Sequence, residues 1–522
     1  MKPRIVCATA LLVLGPAAPA FAQGAAAAPP DPSECVRDGK CSCSAPGPGC
    51  SCTVAVTPPD LLVSLAEPPL AGYKDGLLYL RDPRDILRLY PHGQLDLDAH
   101  GFFGAGVSAV PASLAGVSLA PSFFVRHARF DLAGEFTKRI AFDGGIELVA
   151  NPAIDGSRAN GQSTQVALAD AWAELSEGRG LGVWLGVFQG PFSLENRTAA
   201  TQLPMLERNL AVRGFAATGG GKALGAAIVG STQHQVLHWE LGAFGAETTA
   251  PTDFEQYFDA MGRFVYTPWG DEAVHPLHNA EIGLSARGGW RTPRDTTGDA
   301  AAITTGQGFA LWRPTYTDAT GRLVHIIPDA QQWGAGAELR IPYRGFVLQG
   351  EAFWLYKGMR EAYDGFQATS TERTGSLSGV GWYGELSWWP FQTFHLIGDN
   401  PQPRTAPQAD HLEVAPTPPL PERNGVEIGV LAAGINATYD GASRSGPESA
   451  SGATSVELYQ FSLAVSYWQS SHLRVSLEGN AYYAPTTASP PATVLPGNLG
   501  PTPIDANASL MGELGGRVSV MF

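Results

Sequence analysis

Leu510-Met511-Gly512-Glu513-Leu514-Gly515-Gly516-Arg517-Val518-Ser519-Val520-Met521-Phe522 reads with a period of two. Leu510, Gly512, Leu514, Gly516, Val518, Val520 and Phe522 fall on one face, and Glu513, Gly515, Arg517 and Ser519 on the other. Successive side chains of a β-strand point to opposite sides, so one face of this segment is dry and the other wet. The pattern recurs upstream. Leu473, Val475, Leu477, Gly479, Ala481 and Tyr483 alternate with Arg474, Ser476, Glu478, Asn480 and Tyr482. Leu348, Gly350, Ala352, Trp354 and Tyr356 oppose Gln349 and Glu351, and Trp382, Gly384, Leu386 and Trp388 oppose Tyr383, Glu385 and Ser387.

These segments are about ten residues long, end in aromatics, and are separated by Gly, Pro, Asp and Asn clusters. A soluble sandwich also alternates, but its strands run nearer five or six residues and need no aromatic ends. Strands of about ten residues with aromatic girdles suit a bilayer. Seventeen candidate segments begin near residues 94, 124, 140, 166, 182, 209, 223, 236, 261, 280, 334, 346, 380, 426, 456, 473 and 510. A bacterial barrel closes edge to edge with an even number of strands, so one of these is a miscount. The expected fold is therefore all-β: a transmembrane antiparallel β-barrel of about 16 strands. The aperiodic stretches near 290 to 332, 396 to 424 and 484 to 509 read as surface loops.

Composition agrees. Of 522 residues 62 are Gly and 41 Pro, which disfavours a long all-helical protein, and charged residues make up only 16%. Acids outnumber bases, 49 against 34, which excludes nucleic acid as a partner held by bulk charge. Met1 to Arg4 is a short basic start, Ile5 to Ala20 is apolar, and Ala20-Phe21-Ala22 is an A-x-A cleavage site. Residues 1–22 thus read as a signal peptide, and its removal takes the net charge from −15 to −17. No later window is apolar for long enough to be a transmembrane helix. Residues 23–72 read as an Ala/Pro/Cys-rich periplasmic extension and 73–522 as the barrel. Cys35, Cys41, Cys43, Cys50 and Cys52 lie within that extension; in an oxidising compartment they read as a small disulfide-stapled tail with one thiol left over rather than a metal site.

Several stretches resemble the phosphate-selective porin O and P family of outer-membrane porins. Tyr73-Lys74-Asp75-Gly76-Leu77-Leu78-Tyr79-Leu80, followed by Pro91-His92-Gly93-Gln94-Leu95-Asp96-Leu97-Asp98, looks like that family's opening "DGF" and its "G-x-x-Q-x-D" first strand. Phe124-Val125-Arg126-His127-Ala128-Arg129-Phe130 resembles its "R-R-A-R" strand, and Leu168-Ala169-Asp170-Ala171-Trp172 its "L-x-D-A-Y" segment. The most specific match runs Gly186-Val187-Phe188-Gln189-Gly190-Pro191-Phe192-Ser193-Leu194-Glu195 and on to Met205-Leu206-Glu207-Arg208, similar to "G-x-F-K-x-P-F-x-x-E … E-R" with Gln189 in place of the Lys. Trp312-Arg313-Pro314 and Gly336-Ala337-Glu338 to Gln349-Gly350-Glu351 are weaker matches.

The resemblance implies an outer-membrane porin of a Gram-negative bacterium. It would be trimeric, would admit small ions or phosphate-like solutes by passive diffusion, and would have a loop folded into the lumen. It also implies that Phe522 is the aromatic signal read by the barrel-insertion machinery. By chain position the loop would be Gln189 to Arg208, which makes Glu195, Arg197, Glu207 and Arg208 the candidate constriction residues and Arg126, Arg129, Asp96 and Asp98 candidate pore-lining residues.

Charge counting complicates anion preference. By alternation the wet faces carry 14 acids, Asp96, Asp98, Asp131, Asp143, Glu147, Asp170, Glu174, Glu281, Glu338, Glu351, Glu385, Glu427, Glu478 and Glu513, against seven bases, Arg129, Arg139, Arg213, Arg287, Arg340, Arg474 and Arg517. Acidic walls repel phosphate unless the narrowest point overrides them, so this count leans toward weak or cation-favouring selectivity. Neither H-E-x-x-H nor G-x-S-x-G occurs, and Gly219-Gly220-Gly221-Lys222-Ala223 lacks the remaining parts of a P-loop. The eleven His residues look scattered, and no cofactor, metal or catalytic group is expected. The competing readings are a non-conducting envelope anchor or adhesion barrel and, less favoured, a barrel enzyme with a Ser and His near one girdle.

Overall fold

A backbone that crosses lipid must satisfy its own N–H and C=O groups, and strands do so only when the sheet has no free edge. The computed structural model shows such a sheet. It describes Leu70 to Phe522 apart from stretches in the connections, chiefly 105–120, 150–164, 246–257, 292–302, 363–373, 392–423, 442–453 and 486–509. The signal peptide and nearly all of the Cys-rich extension lie outside the described residues, as do 396–423 and 486–509 of the expected surface loops.

Sixteen strands form the wall. They are β1 (Leu87–Phe103), β2 (Ser122–Phe136), β3 (Ile140–Val149), β4 (Gln165–Ser176), β5 (Leu181–Gln189), β6 (Lys222–Ser231), β7 (Leu237–Gly245) and β8 (Phe258–Tyr266). The second half comprises β9 (Glu281–Arg291), β10 (Leu323–Tyr343), β11 (Phe346–Ala362), β12 (Thr374–Trp388), β13 (Gly425–Gly441), β14 (Thr454–Ser470), β15 (Leu473–Tyr483) and β16 (Leu510–Met521). Each pairs antiparallel with its sequence neighbour, and β16 returns to β1 in the register Gly512↔Phe103 through Met521↔Gln94. The barrel is closed. Phe522 completes the seam: its carbonyl accepts from Gly93 N (2.8 Å) and its N–H donates to Gly93 O (3.1 Å). Gly93 is needed there, because a Cβ would stand 2.5 Å from the Phe522 ring.

The alternation becomes two faces. On β16 Leu510, Leu514, Val518 and Val520 are exposed, whereas Glu513, Arg517 and Ser519 are buried. The outward set elsewhere includes Leu97, Phe130, Ile146, Leu168, Leu185, Ile228, Leu284, Trp354, Trp382, Val430, Phe461 and Leu477, an apolar surface suited to lipid. Aromatics flank it, as where Phe346 and Trp388 stack at 5.9 Å beside the short turn joining β10 to β11.

Two expectations are corrected. The segment near 209 is no strand: Val212–Ala216 forms a helical turn, and Leu210, Ala211, Val212, Phe215 and Ala216 are all buried. Their apolar pattern faces other apolar side chains, not lipid. The stretch 290 to 332 is not simply a surface loop either. Ile303–Thr304 pairs with Ala310–Trp312, and Ile303, Phe309, Leu311 and Trp312 join Phe215, Ile435 and Leu458 in one buried cluster, while β10 already begins at Leu323. Among the described residues no helix is long and apolar enough to cross a membrane.

Candidate constriction and lumen wall

Between β5 and β6 the segment Gly190–Ala216 leaves the wall, and its polar backbone then needs partners it would otherwise find in water. The inward side chains supply them. Glu351 of β11 accepts from Leu194 N and Glu195 N (both 2.8 Å), from the Ser193 hydroxyl (3.0 Å) and from the Tyr383 hydroxyl (2.8 Å). Ser193 caps the short helix Leu194–Arg197 by accepting from Asn196 N (3.2 Å). Gln460 of β14 accepts from Leu210 N (2.8 Å), and Glu478 of β15 accepts from Leu206 N. Arg474 donates to the carbonyls of Leu203 (2.7 Å) and Pro204 (2.9 Å), and Arg517 to that of Leu206 (2.6 Å). The segment is thus held from β11, β14, β15 and β16, far from the strands that carry it, so it lies across the interior.

The candidate constriction residues are all on this segment, and each is engaged. Glu195 accepts from Asn209 N (2.8 Å) and Asn209 Nδ2 (2.5 Å). Burial pushes its carboxyl up to about 7 despite those donors. Arg197 pairs with Glu240 of β7 (2.7 Å), donates to Gln189 O (3.2 Å) and lies over the Trp184 ring at 5.6 Å. Arg208 donates to the carbonyls of Glu195, Asn196 and Thr198 at 3.3, 3.2 and 2.9 Å, which ties the segment to itself. Glu207 bridges Arg126 (3.0 Å) and Arg517 (2.6 Å). Burial opposes its charge, yet Arg126 and Arg517 outweigh burial and hold its carboxyl below the usual carboxylate range.

The pore-lining candidates divide. Arg126 and Arg129 are three residues apart, a spacing that would put them on opposite faces of a regular strand. The register between β1 and β2 shifts at Asp96/Leu97, pairing Asp96 with His127 and Leu97 with Val125, so Arg126 is the extra residue of a bulge and turns inward. There it meets Glu207 and donates to Gly306 O (3.2 Å). Arg129 holds Asp131 (2.7 Å) and Asp170, which also takes Lys222 (2.6 Å). Asp98 is locked bidentate to Arg517, both contacts 2.7 Å, and Asp96 is fully buried beside Gln94. The structure therefore joins Asp98, Arg517, Glu207 and Arg126 into one chain of charges, and leaves Arg197 and Arg208 apart from it.

Two of the seven counted bases are not on a strand face. Arg139 is exposed in the turn between β2 and β3, and Arg213 lies in the helical turn, bonded to Thr304 Oγ1 (2.9 Å). Conversely Lys222, Arg263, Arg291 and Arg360 point inward and were missed. Alternation could have found Arg263, which sits between the outward Phe264 and Gly262 on β8; Lys222 shares the parity of the outward Leu224, Ala226 and Ile228, so a period of two assigns it to the lipid face and only its contact with Asp170 shows it turned inward.

Burial within the barrel is uneven. Inward residues of β13 to β16 are nearly all buried, covered by Gly190–Ala216 and the 303–312 hairpin, whereas Arg126, His127, Arg129, Glu147, Glu174, Lys222 and Glu240 on β2 to β7 keep partial exposure. Side-chain exposure is 24% for Arg129, 21% for Lys222 and 12% for Arg126, against 1% for Asp98 and 2% for Glu338.

Over residues 116–409, more than half its length, the chain matches the sequence model of the family described as phosphate-selective porin O and P. The chain belongs to that family. It is an outer-membrane porin of Gram-negative bacteria, through which small solutes diffuse passively, and family and fold together point to a channel rather than an enzyme. No curated protein matches it in sequence. Solved structures similar to it include a loop L8 deletion mutant of OmpT, an outer membrane protein of Vibrio cholerae, at 10% identity and TM-score 0.45, over 84% of this chain and 100% of that one. An anion-selective porin from Comamonas acidovorans aligns at 11% identity and TM-score 0.43, over 84% and 100% of the two chains. The outer membrane channel DcaP of Acinetobacter baumannii aligns at 9% identity and TM-score 0.43, over 87% and 100%. Similarity at this distance transfers no residue role to the porin.

Proposed function

We propose that the porin passes small anions more readily than cations, and that Gly190–Ala216 forms its narrowest point. The observation that supports this is where the charges sit. Most acids of the wall are buried: Glu351 and Glu478 are spent on backbone donors of the segment, and Asp98, Asp259 and Glu338 on Arg517, Arg291 and Arg263. A buried carboxylate paired with a guanidinium projects little field into the water path. The side that keeps contact with water carries Arg126, Arg129 and Lys222 on the wall and the half-buried Arg208 and Arg213 on the segment. Of its acids, Asp170, Glu207 and Glu240 each face a lysine or arginine and Glu147 faces His127, while Glu174 makes no ion pair among the described residues. The excess of acids in the sequence therefore does not describe the path that an ion sees.

The reversal potential in asymmetric KCl across a planar bilayer tests this reading. The expected sign is that of chloride permeation, shifting toward potassium in Lys222→Glu; a potassium-sided potential in the wild type would overturn it. Phosphate as the natural solute, a homotrimer, reading of Phe522 by the barrel-insertion machinery, removal of residues 1–22 and a periplasmic place for 23–72 are parts of the same proposal. They rest on the resemblance and on the motifs of the N-terminus.

A further inference from the structure

Near the turn joining β2 to β3, three inward side chains from three consecutive strands converge. His92 of β1, Asp131 of β2 and Asp143 of β3 each bring one ligand atom within 4.8 Å of the others. His92 and Asp131 are direct cross-strand partners. The place opposite Asp131 on β3 is Gly145, where a Cβ would stand 1.8 Å from Asp131 Oδ1. Glycine there makes room for the carboxylate to lie toward β3.

Two further observations point to a ligand. Asp143 is 7% exposed, yet its Oδ1 makes no hydrogen bond among the described residues. Its neighbours are already committed: Arg129 bonds Asp131 and Asp170, and Lys222 bonds Asp170. A buried carboxylate with an unsatisfied oxygen is costly unless something positive meets it. His92 Nδ1 donates to the Tyr90 carbonyl (3.0 Å), which places Nε2 toward Asp131 Oδ2 at 4.0 Å. A histidine whose second nitrogen is fixed on a backbone carbonyl is the arrangement that orients imidazole for a metal, and Arg129 does the same for the Asp131 carboxylate.

We propose that His92, Asp131 and Asp143 bind one first-row divalent cation of the Zn²⁺ type on the lumen wall. Imidazole with two carboxylates favours Zn²⁺, Co²⁺ or Mn²⁺ over Mg²⁺ and Ca²⁺, which prefer all-oxygen shells. Metal–ligand distances of about 2.0–2.2 Å put donor atoms about 3–3.5 Å apart, so small rotamer shifts close the site. Water from the lumen completes the shell, and the bound ion ties β1, β2 and β3 together.

The test uses the full-length, tag-free protein in detergent, stripped with EDTA and with its cysteines alkylated so that Cys35 to Cys52 do not report. Co²⁺ is titrated by visible absorption and then displaced with Zn²⁺. The expected result is one equivalent with weak bands of nitrogen and oxygen ligands, no thiolate charge-transfer band, and affinity lowered about tenfold or more in His92→Gln and in Asp143→Asn. Asp143→Asn keeps the side-chain shape, and heat-modifiable mobility on a gel reports that both variants are folded. Equal titration of the wild type and both variants would overturn the proposal. So would displacement by Mg²⁺ as readily as by Zn²⁺, or the lack of saturable binding.

Discussion

Glu195 shows how burial and hydrogen bonding compete on one side chain. Its carboxyl lies at about 7 in the docked segment against an ordinary 4.5 when released, because burial outweighs the donors from Asn209. Docking therefore keeps a proton that the released segment loses between those values, and the stability it lends to docking is full below about 4.5 and falls as pH rises toward 7. Current noise from the segment should accordingly be greater at pH 8 than at pH 5 in planar bilayers, and Glu195→Gln should remove that difference; equal noise in the wild type at both pH values would contradict the assignment. Glu195, Arg197, Glu207 and Arg208 could be picked from the sequence because they cluster in one short motif. Their partners could not: Arg126, Glu240 and Arg517 come from strands placed beside them only by barrel closure. Arg126 was legible as a base, but the bulge that turns it inward is invisible to a period of two.

At the scale of elements, strand alternation carried most of the fold, since lipid on one side and water or protein on the other act on every residue of a strand. It failed where the solvent changed. The apolar residues Leu210, Val212 and Phe215 mimic a strand, but their dry neighbour is the cluster inside the barrel. Likewise Phe309, Leu311 and Trp312 lie in a hairpin that packs inward. Two substitutions probe the elements separately. Gly186 of β5 has φ +128°, and a Cβ there would stand 2.1 Å from Ala171 O. Gly186→Ala should cost about 1–3 kcal/mol, read as a lower temperature for loss of the folded band on a semi-native gel; an unchanged temperature would contradict the geometry. Glu351→Ala orphans Leu194 N–H and Glu195 N–H in a buried place, at about 1–3 kcal/mol for each donor. Trypsin should then cut the variant at Arg197 or Arg208 while sparing the wild type, and equal resistance would show that the segment does not depend on Glu351.

Across the whole molecule the division is between a lipid-facing shell, a half of the lumen filled by two inserted segments, and a half left to water. The shell was legible in the sequence, because it needs only a repeated two-residue pattern and an even number of strands. The filling was not, since it depends on which carboxylates of β11 to β16 are spent on backbone donors, and counting acids treats a spent carboxylate like a free one. That is why a chain with net charge −15 can present arginine and lysine to its water path. The central claim is that this path runs past Gly190–Ala216, pinned across the barrel. Single-channel recording of the wild type beside Glu351→Ala in planar bilayers tests it most directly. Discrete steps in the wild type and larger, noisier steps in the variant are predicted; no conductance from the wild type, or identical steps from both, would contradict it.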